Sequence, residues 1–173
     1  MDILENKEEW SRTFKAGWLA HLEKTGEVNW RLYKYPTNEQ TPGSPGIVLE
    51  DSRLMFISSA GAYLRDLQKP FDAFSTLGDY TMRVIPTDVN FGDLTYAHDH
   101  YDHTMVKQDP QVALPLDILR NMVHEGSIGQ LAPSMISFTG YQPDSARFIE
   151  ELIPQIVEQA QSEDIQAALL APV

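Results

Sequence analysis

Ser52-Arg53-Leu54-Met55-Phe56-Ile57-Ser58 runs directly into Ser59-Ala60-Gly61-Ala62. Four consecutive apolar residues flanked by short polar ones fit a strand buried on both faces, as in a parallel sheet. The small residues that follow put little bulk at the strand's C-terminal end. Open α/β sheets bind ligands there, and small side chains let a ligand approach backbone N–H groups. Ser58, Ser59 and Gly61 are therefore candidate substrate-binding residues. No phosphate-binding glycine pattern accompanies them, and a plain strand-to-loop turn fits the same letters.

Downstream, elements alternate. Residues 115–125 read as a helix, with Leu116, Leu119, Met122 and Val123 on its apolar side and Gly126 as its stop. Ser134-Met135-Ile136-Ser137-Phe138-Thr139-Gly140 reads as a strand, and Ser137 near its end joins the substrate-binding candidates. Residues 144–161 read as a second helix, capped by Asp144 or Ser145, with a kink or break expected at Pro154. Gln166 to Pro172 reads as a further buried strand. This alternation predicts an α/β fold: one domain, a largely parallel sheet and flanking helices.

The first half is less regular. Trp10, Phe14, Trp18 and Leu22 form one stripe over residues 5–24, an N-terminal amphipathic helix stopped by Gly26. The chain thus divides into an N-terminal helix (1–26), a connector (27–46) with a Pro- and Gly-rich turn cluster, and an α/β domain (47–173). Residues 62–80 read as loop-rich, 81–86 as a strand, and 93–98 as another.

Composition narrows the function. The 173 residues suffice for one domain with a full core. A net charge of -12 argues against nucleic acid and against anionic membrane surfaces. No apolar run reaches the roughly 18 residues that span a bilayer. The start, Met1-Asp2-Ile3-Leu4-Glu5, lacks the basic and apolar regions of a secretory signal, so a cytoplasmic protein is expected. There is no cysteine, so the chain as written has no thiol chemistry of its own.

Three of the five histidines fall within Ala97-His98-Asp99-His100-Tyr101-Asp102-His103. Imidazole is a general base near neutral pH and a common metal ligand. In an extended chain His98, His100 and Asp102 share one face, and Tyr101 and His103 the other. His98 and His100 are candidate catalytic residues, with Asp102 orienting one ring. Spelled His-x-His-x-Asp-His, the run also resembles the first metal motif of metallo-β-lactamase-type hydrolases. That alternative would use His98, His100 and His103 as ligands of a divalent metal. Otherwise no cofactor is expected. Polar side chains bonding a loop at a strand end would give the same letters.

Taken together, several motifs in order resemble selenoprotein B of the glycine/sarcosine/betaine reductase system and its relative in D-proline reductase. They are Ser58-Ser59-Ala60-Gly61, Ala97 through Asp102, Leu114-Pro115-Leu116 through Glu125-Gly126-Ser127-Ile128-Gly129, Leu131 through Tyr141, and Ala167 through Val173. The resemblance implies reductive cleavage of a C–N bond in a small amino-acid-like substrate, with electrons from a thioredoxin-type dithiol. It also implies partner subunits, and a homo-oligomer is expected. In the family, the strand equivalent to 167–173 leads straight into selenocysteine or cysteine, two residues, then cysteine. This sequence stops at Val173, which leaves three readings open: a UGA codon next that encodes selenocysteine, a trimmed chain, or a natural variant without redox chemistry. Two other classes remain open: the metal-dependent hydrolase, and a non-catalytic interaction protein pairing through the Trp10/Phe14/Trp18 helix.

Overall fold

The computed structural model describes residues 3–40, 43, 46–97 and 101–173. Its strands are β1 (Arg53–Ser58), β2 (Ala62–Leu64), β3 (Arg83–Pro86), β4 (Leu94–Tyr96), β5 (Gln130–Leu131), β6 (Ser134–Ser137) and β7 (Ala167–Ala171). The predicted strand 52–58 is the sheet's centre. β7 pairs parallel with it from Leu54↔Ala167 to Ser58↔Ala171. On its other edge β5 pairs with Arg53 and Leu54, and β6 with Ile57 and Ser58, both parallel. Pro133 falls between these two short strands and has no N–H to give to the ladder.

The sheet is mixed rather than wholly parallel. β3 lies antiparallel to β6, with Arg83 opposite Ser137. β2 pairs antiparallel with β4 in a separate ribbon, Ala62 opposite Tyr96. The region 62–80 reads as loop-rich, and the structure adds the short strand β2 at its start. The strand expected over 93–98 is shorter, ending at Tyr96 among the described residues.

Both faces of β1 are covered, which explains its unbroken apolar run. Leu54 and Phe56 join the cluster of Ile85, Leu114, Leu116, Leu119, Ile128 and Met135. Met55 and Ile57 face Ala132 and Ile136, with Ile156 and Ala160 of the C-terminal helix against them. β7 is less covered: Leu169 is 40% and Leu170 66% exposed.

The N-terminal helical run has three pieces: Lys7–Phe14, a π segment Lys15–Leu19, and Ala20–Thr25. Residues four apart overshoot an α-turn of 3.6 residues by roughly 40° per step. The wider π turn offsets that drift, and Trp10, Phe14, Trp18 and Leu22 are all buried in one cluster with Ala146. Gly26 ends the run at φ +72°, a left-handed C-cap. Rings of the predicted connector complete this cluster: Tyr33 sits edge-on to Trp10, Phe14 and Trp18, and Trp30 lies 5.6 Å from Trp18.

Asp144 caps the C-terminal helical run, its Oδ1 accepting from Ala146 and Arg147 N–H at 3.1 and 3.2 Å. The kink or break expected at Pro154 takes the form of a π segment, Phe148–Leu152, directly before it. Pro154 then occupies the first turn of Ile153–Ser162, where its missing N–H costs nothing. Among the described residues no helix is long and apolar enough to cross a membrane.

Candidate functional site

The parallel strands end together. Ser58 closes β1, Ser137 closes β6, and Ala171 closes β7. Since parallel neighbours in register project the same way, Ser58 and Ser137 share a face with Phe56 and Met135. Both serines are fully buried.

The loop after β1 gathers three other segments. Ser59 N–H donates to the Ala171 carbonyl (3.2 Å), and its Oγ accepts from Val173 N–H (2.9 Å). Gly61 N–H donates to the Phe138 carbonyl (2.8 Å), while its own carbonyl accepts from Ala97 N–H (2.9 Å). Gly61 holds φ +66°, a conformation L side chains resist. Val173 and Ala97, the residue preceding His98, are thus anchored to one four-residue loop. The position just past β7 and the base of the histidine run lie on the same rim of the sheet.

The hydroxyls differ in what they have left to give. Ser58 Oγ donates to the Ala113 carbonyl at a long 3.4 Å and accepts from Ala60 N–H at 3.2 Å. Ser59 Oγ is engaged with Val173. Ser137 Oγ finds no hydrogen-bond partner among the described residues. The Gly61 amide, expected as an anion donor, is committed to Phe138, so Gly61 supplies the turn instead. An unmet hydrogen-bonding group this deep costs about 1–3 kcal/mol, which makes Ser137 the most conspicuous polar group of the rim.

His98 and His100 lie outside the described residues. Asp102 is exposed, and its Oδ1 accepts from Thr104 N–H (2.9 Å) and Thr104 Oγ1 (2.7 Å) at the start of the Thr104–Gln108 helix. Those bonds, the hydroxyl's first, hold its carboxyl below the usual range. The ring-orienting role expected of Asp102 therefore competes with a helix-starting one. The His103 ring lies tilted against Tyr101, centroids 4.5 Å apart, and 6.2 Å from Tyr96. Among the described residues no three His, Cys, Asp or Glu side chains are grouped to hold a metal ion.

Two tyrosines escaped the sequence reading. Tyr101 Oη donates to the Ala60 carbonyl at 3.0 Å, and burial, then neighbouring Tyr96, pushes its pKa well above the ordinary phenol value. Tyr96 Oη is shielded from solvent without a partner among the described residues; burial raises its pKa to about 12. Alternating polarity hid them, because aromatic residues at a strand end look like core.

Residues 72–172 match the model of the family described as glycine/sarcosine/betaine reductase selenoprotein B. D-proline reductase subunit gamma of Acetoanaerobium sticklandii is 34% identical over 122 residues, 70% of this chain and 49% of that protein. Sarcosine reductase complex component B subunit beta of Peptoclostridium acidaminophilum is 28% identical over 111 residues, 62% of this chain and 25% of that protein. The chain thus matches half or less of the length of these curated relatives. No solved structure gives a significant match. With its matched region covering more than half of the residues, the chain belongs to the glycine/sarcosine/betaine reductase selenoprotein B family.

Proposed function

We propose that the chain is a subunit of a selenoprotein B-type reductase that cleaves the C–N bond of a small amino-acid-like substrate, using a selenocysteine or cysteine pair directly after residue 173. In this reading the cytoplasmic enzyme works with partner subunits, as a homo-oligomer, and draws electrons from a thioredoxin-type dithiol. The dithiol becomes a disulfide while C–N is replaced by C–H and N–H. Ser137, helped by Ser58 and Ser59, holds the substrate carboxylate. His98 or His100 protonates the departing amine. A chalcogenolate at the end of a parallel strand is well placed as the nucleophile.

One observation carries the reading: Ser59 ties Val173, and Gly61 ties Ala97, to the same loop. A group following Val173 would stand on the rim that also carries Ala97, rather than across the molecule from it. The test is to read the gene past codon 173 and produce the chain with that frame. D-proline, sarcosine and glycine betaine are then supplied with dithiothreitol, and the cleaved product is measured. Product formation abolished by iodoacetamide is the expected result. Absence of a UGA or cysteine codon at position 174, or turnover indifferent to alkylation, sinks the proposal.

A further inference from the structure

A buried phenol is an awkward group to leave unbonded. Tyr96 closes β4 opposite Ala62, and the next residue, Ala97, donates its N–H to the Gly61 carbonyl. That places Tyr96 within two residues of the loop carrying Ser58 to Gly61, along a ladder that leaves its backbone little freedom. The ring packs onto the cluster containing Ala60 and Ala62, both fully buried. Yet the hydroxyl has no partner among the described residues, whereas the neighbouring Tyr101 hydroxyl reaches the Ala60 carbonyl. Most buried polar side-chain atoms in proteins are bonded, so an exception calls for a reason.

Ser137 is the second exception at this end of the sheet. Trp18 and Gln142 supply the other two unpartnered atoms, and Trp18 belongs to the N-terminal aromatic cluster. Tyr96 and Ser137 both belong to segments held by the Ser58–Gly61 loop. Serine is joined to it by strand pairing, tyrosine by the Ala97–Gly61 bond.

We infer that Tyr96 is a substrate-anchoring residue whose hydroxyl donates a hydrogen bond to the carboxylate of the small amino-acid-like substrate. The inference deepens the reductase reading and rests on it. Chemistry favours an anionic acceptor. A phenol is already protonated at physiological pH at its ordinary pKa near 10, and burial moves it further from ionising. It is therefore a donor, and hydrogen bonds to charged acceptors are about twice as strong as neutral ones. Ligand binding would satisfy the orphan hydroxyl, and a site that waits for its acceptor discriminates against compounds lacking one.

The test pairs a deletion of one atom with two readouts. The full chain and its Tyr96→Phe variant are titrated calorimetrically with D-proline, sarcosine and glycine betaine, and each is melted without ligand. Binding of at least one compound by the parent, weakened roughly 10-fold or more in the variant, with an unchanged or raised melting temperature, is the expected pattern. Equal affinity in parent and variant overturns the role of Tyr96 while leaving the reductase reading intact. Failure of the parent to bind any of the three carboxylates removes both. A variant that melts several degrees lower, or does not fold, shows that the hydroxyl serves the fold, and that outcome also overturns the assignment.

Discussion

The N-terminal aromatic cluster and the rim around Gly61 use aromatic residues in opposite ways. In the first, Phe14 lies between Trp10 at 5.1 Å and Trp18 at 5.3 Å, both nearly parallel to it, and Tyr33 stands edge-on to all three. Outlying polar tips there are mostly bonded: Trp10 Nε1 donates to the Lys34 carbonyl and Tyr33 Oη to the Pro143 carbonyl. In the second, Tyr96 and Tyr101 pack against the cluster that includes Ala60 and Ala62, and the Tyr96 and Ser137 hydroxyls have no partner among the described residues. One region spends its aromatic surface on cohesion. The other leaves two hydroxyls unpaired among the described residues, and the proposed substrate role draws on these.

That contrast is open to direct challenge. Phe14→Ala should be the costliest change, about 3–5 kcal/mol of stability, because the ring is 3% exposed and its stacking neighbours cannot fully collapse onto the void. Urea unfolding measures this, while carboxylate affinity of the folded fraction should stay the same. A loss under about 1 kcal/mol would mean that the aromatic cluster is not the cohesive unit described. Ser59→Ala should cost less, about 1 kcal/mol, by leaving Val173 N–H without its acceptor. Faster hydrogen exchange at the Val173 amide than in the parent is the sharper readout, and unchanged exchange would dissolve the tie between β7 and the loop.

The smallest effect belongs to Asp102. Its carboxyl is held below the usual range by Thr104, so the folded state binds this proton less readily than the unfolded chain. The linked stability is present above the unfolded pKa, near 3.9, and fades as pH falls through the lower folded value. Asp102→Ala should therefore shed a small part of the acid sensitivity below about pH 4, and change little at neutral pH. Thermal melts across that range would detect it. A large loss of substrate affinity at neutral pH would instead restore Asp102 to the ring-orienting role and blur the boundary between helix start and site.

The strands were legible where both faces are buried. Leu54 to Ile57 announces itself because Met55 and Ile57 have their own covering layer, so no polar residue interrupts the run. The direction of β3 was not legible, since side-chain alternation is the same in parallel and antiparallel strands. β2 could not be found either: Ala62-Tyr63-Leu64 is three residues long, and its partner lies some thirty residues away. Trp30 and Tyr33 read as connector because their ring partners sit on the preceding helix and local pattern carries no such information. Of the site, Ser58, Ser59 and Ser137 were marked by position at strand ends. What each hydroxyl does was hidden, because it depends on the Ala113 carbonyl and the Val173 N–H, which come from other segments.

The central place of β1 also sets a timetable. It is the earliest-made strand of its sheet, yet both its neighbours come from residues 130–137 and 167–171. On the ribosome Leu54 to Ile57 must wait, sticky on two faces, until more than a hundred further residues have been made. Such distant parallel pairing is slow to form. The chain therefore passes through synthesis with its most insoluble segment unsheltered, and holding chaperones should recognise that segment first.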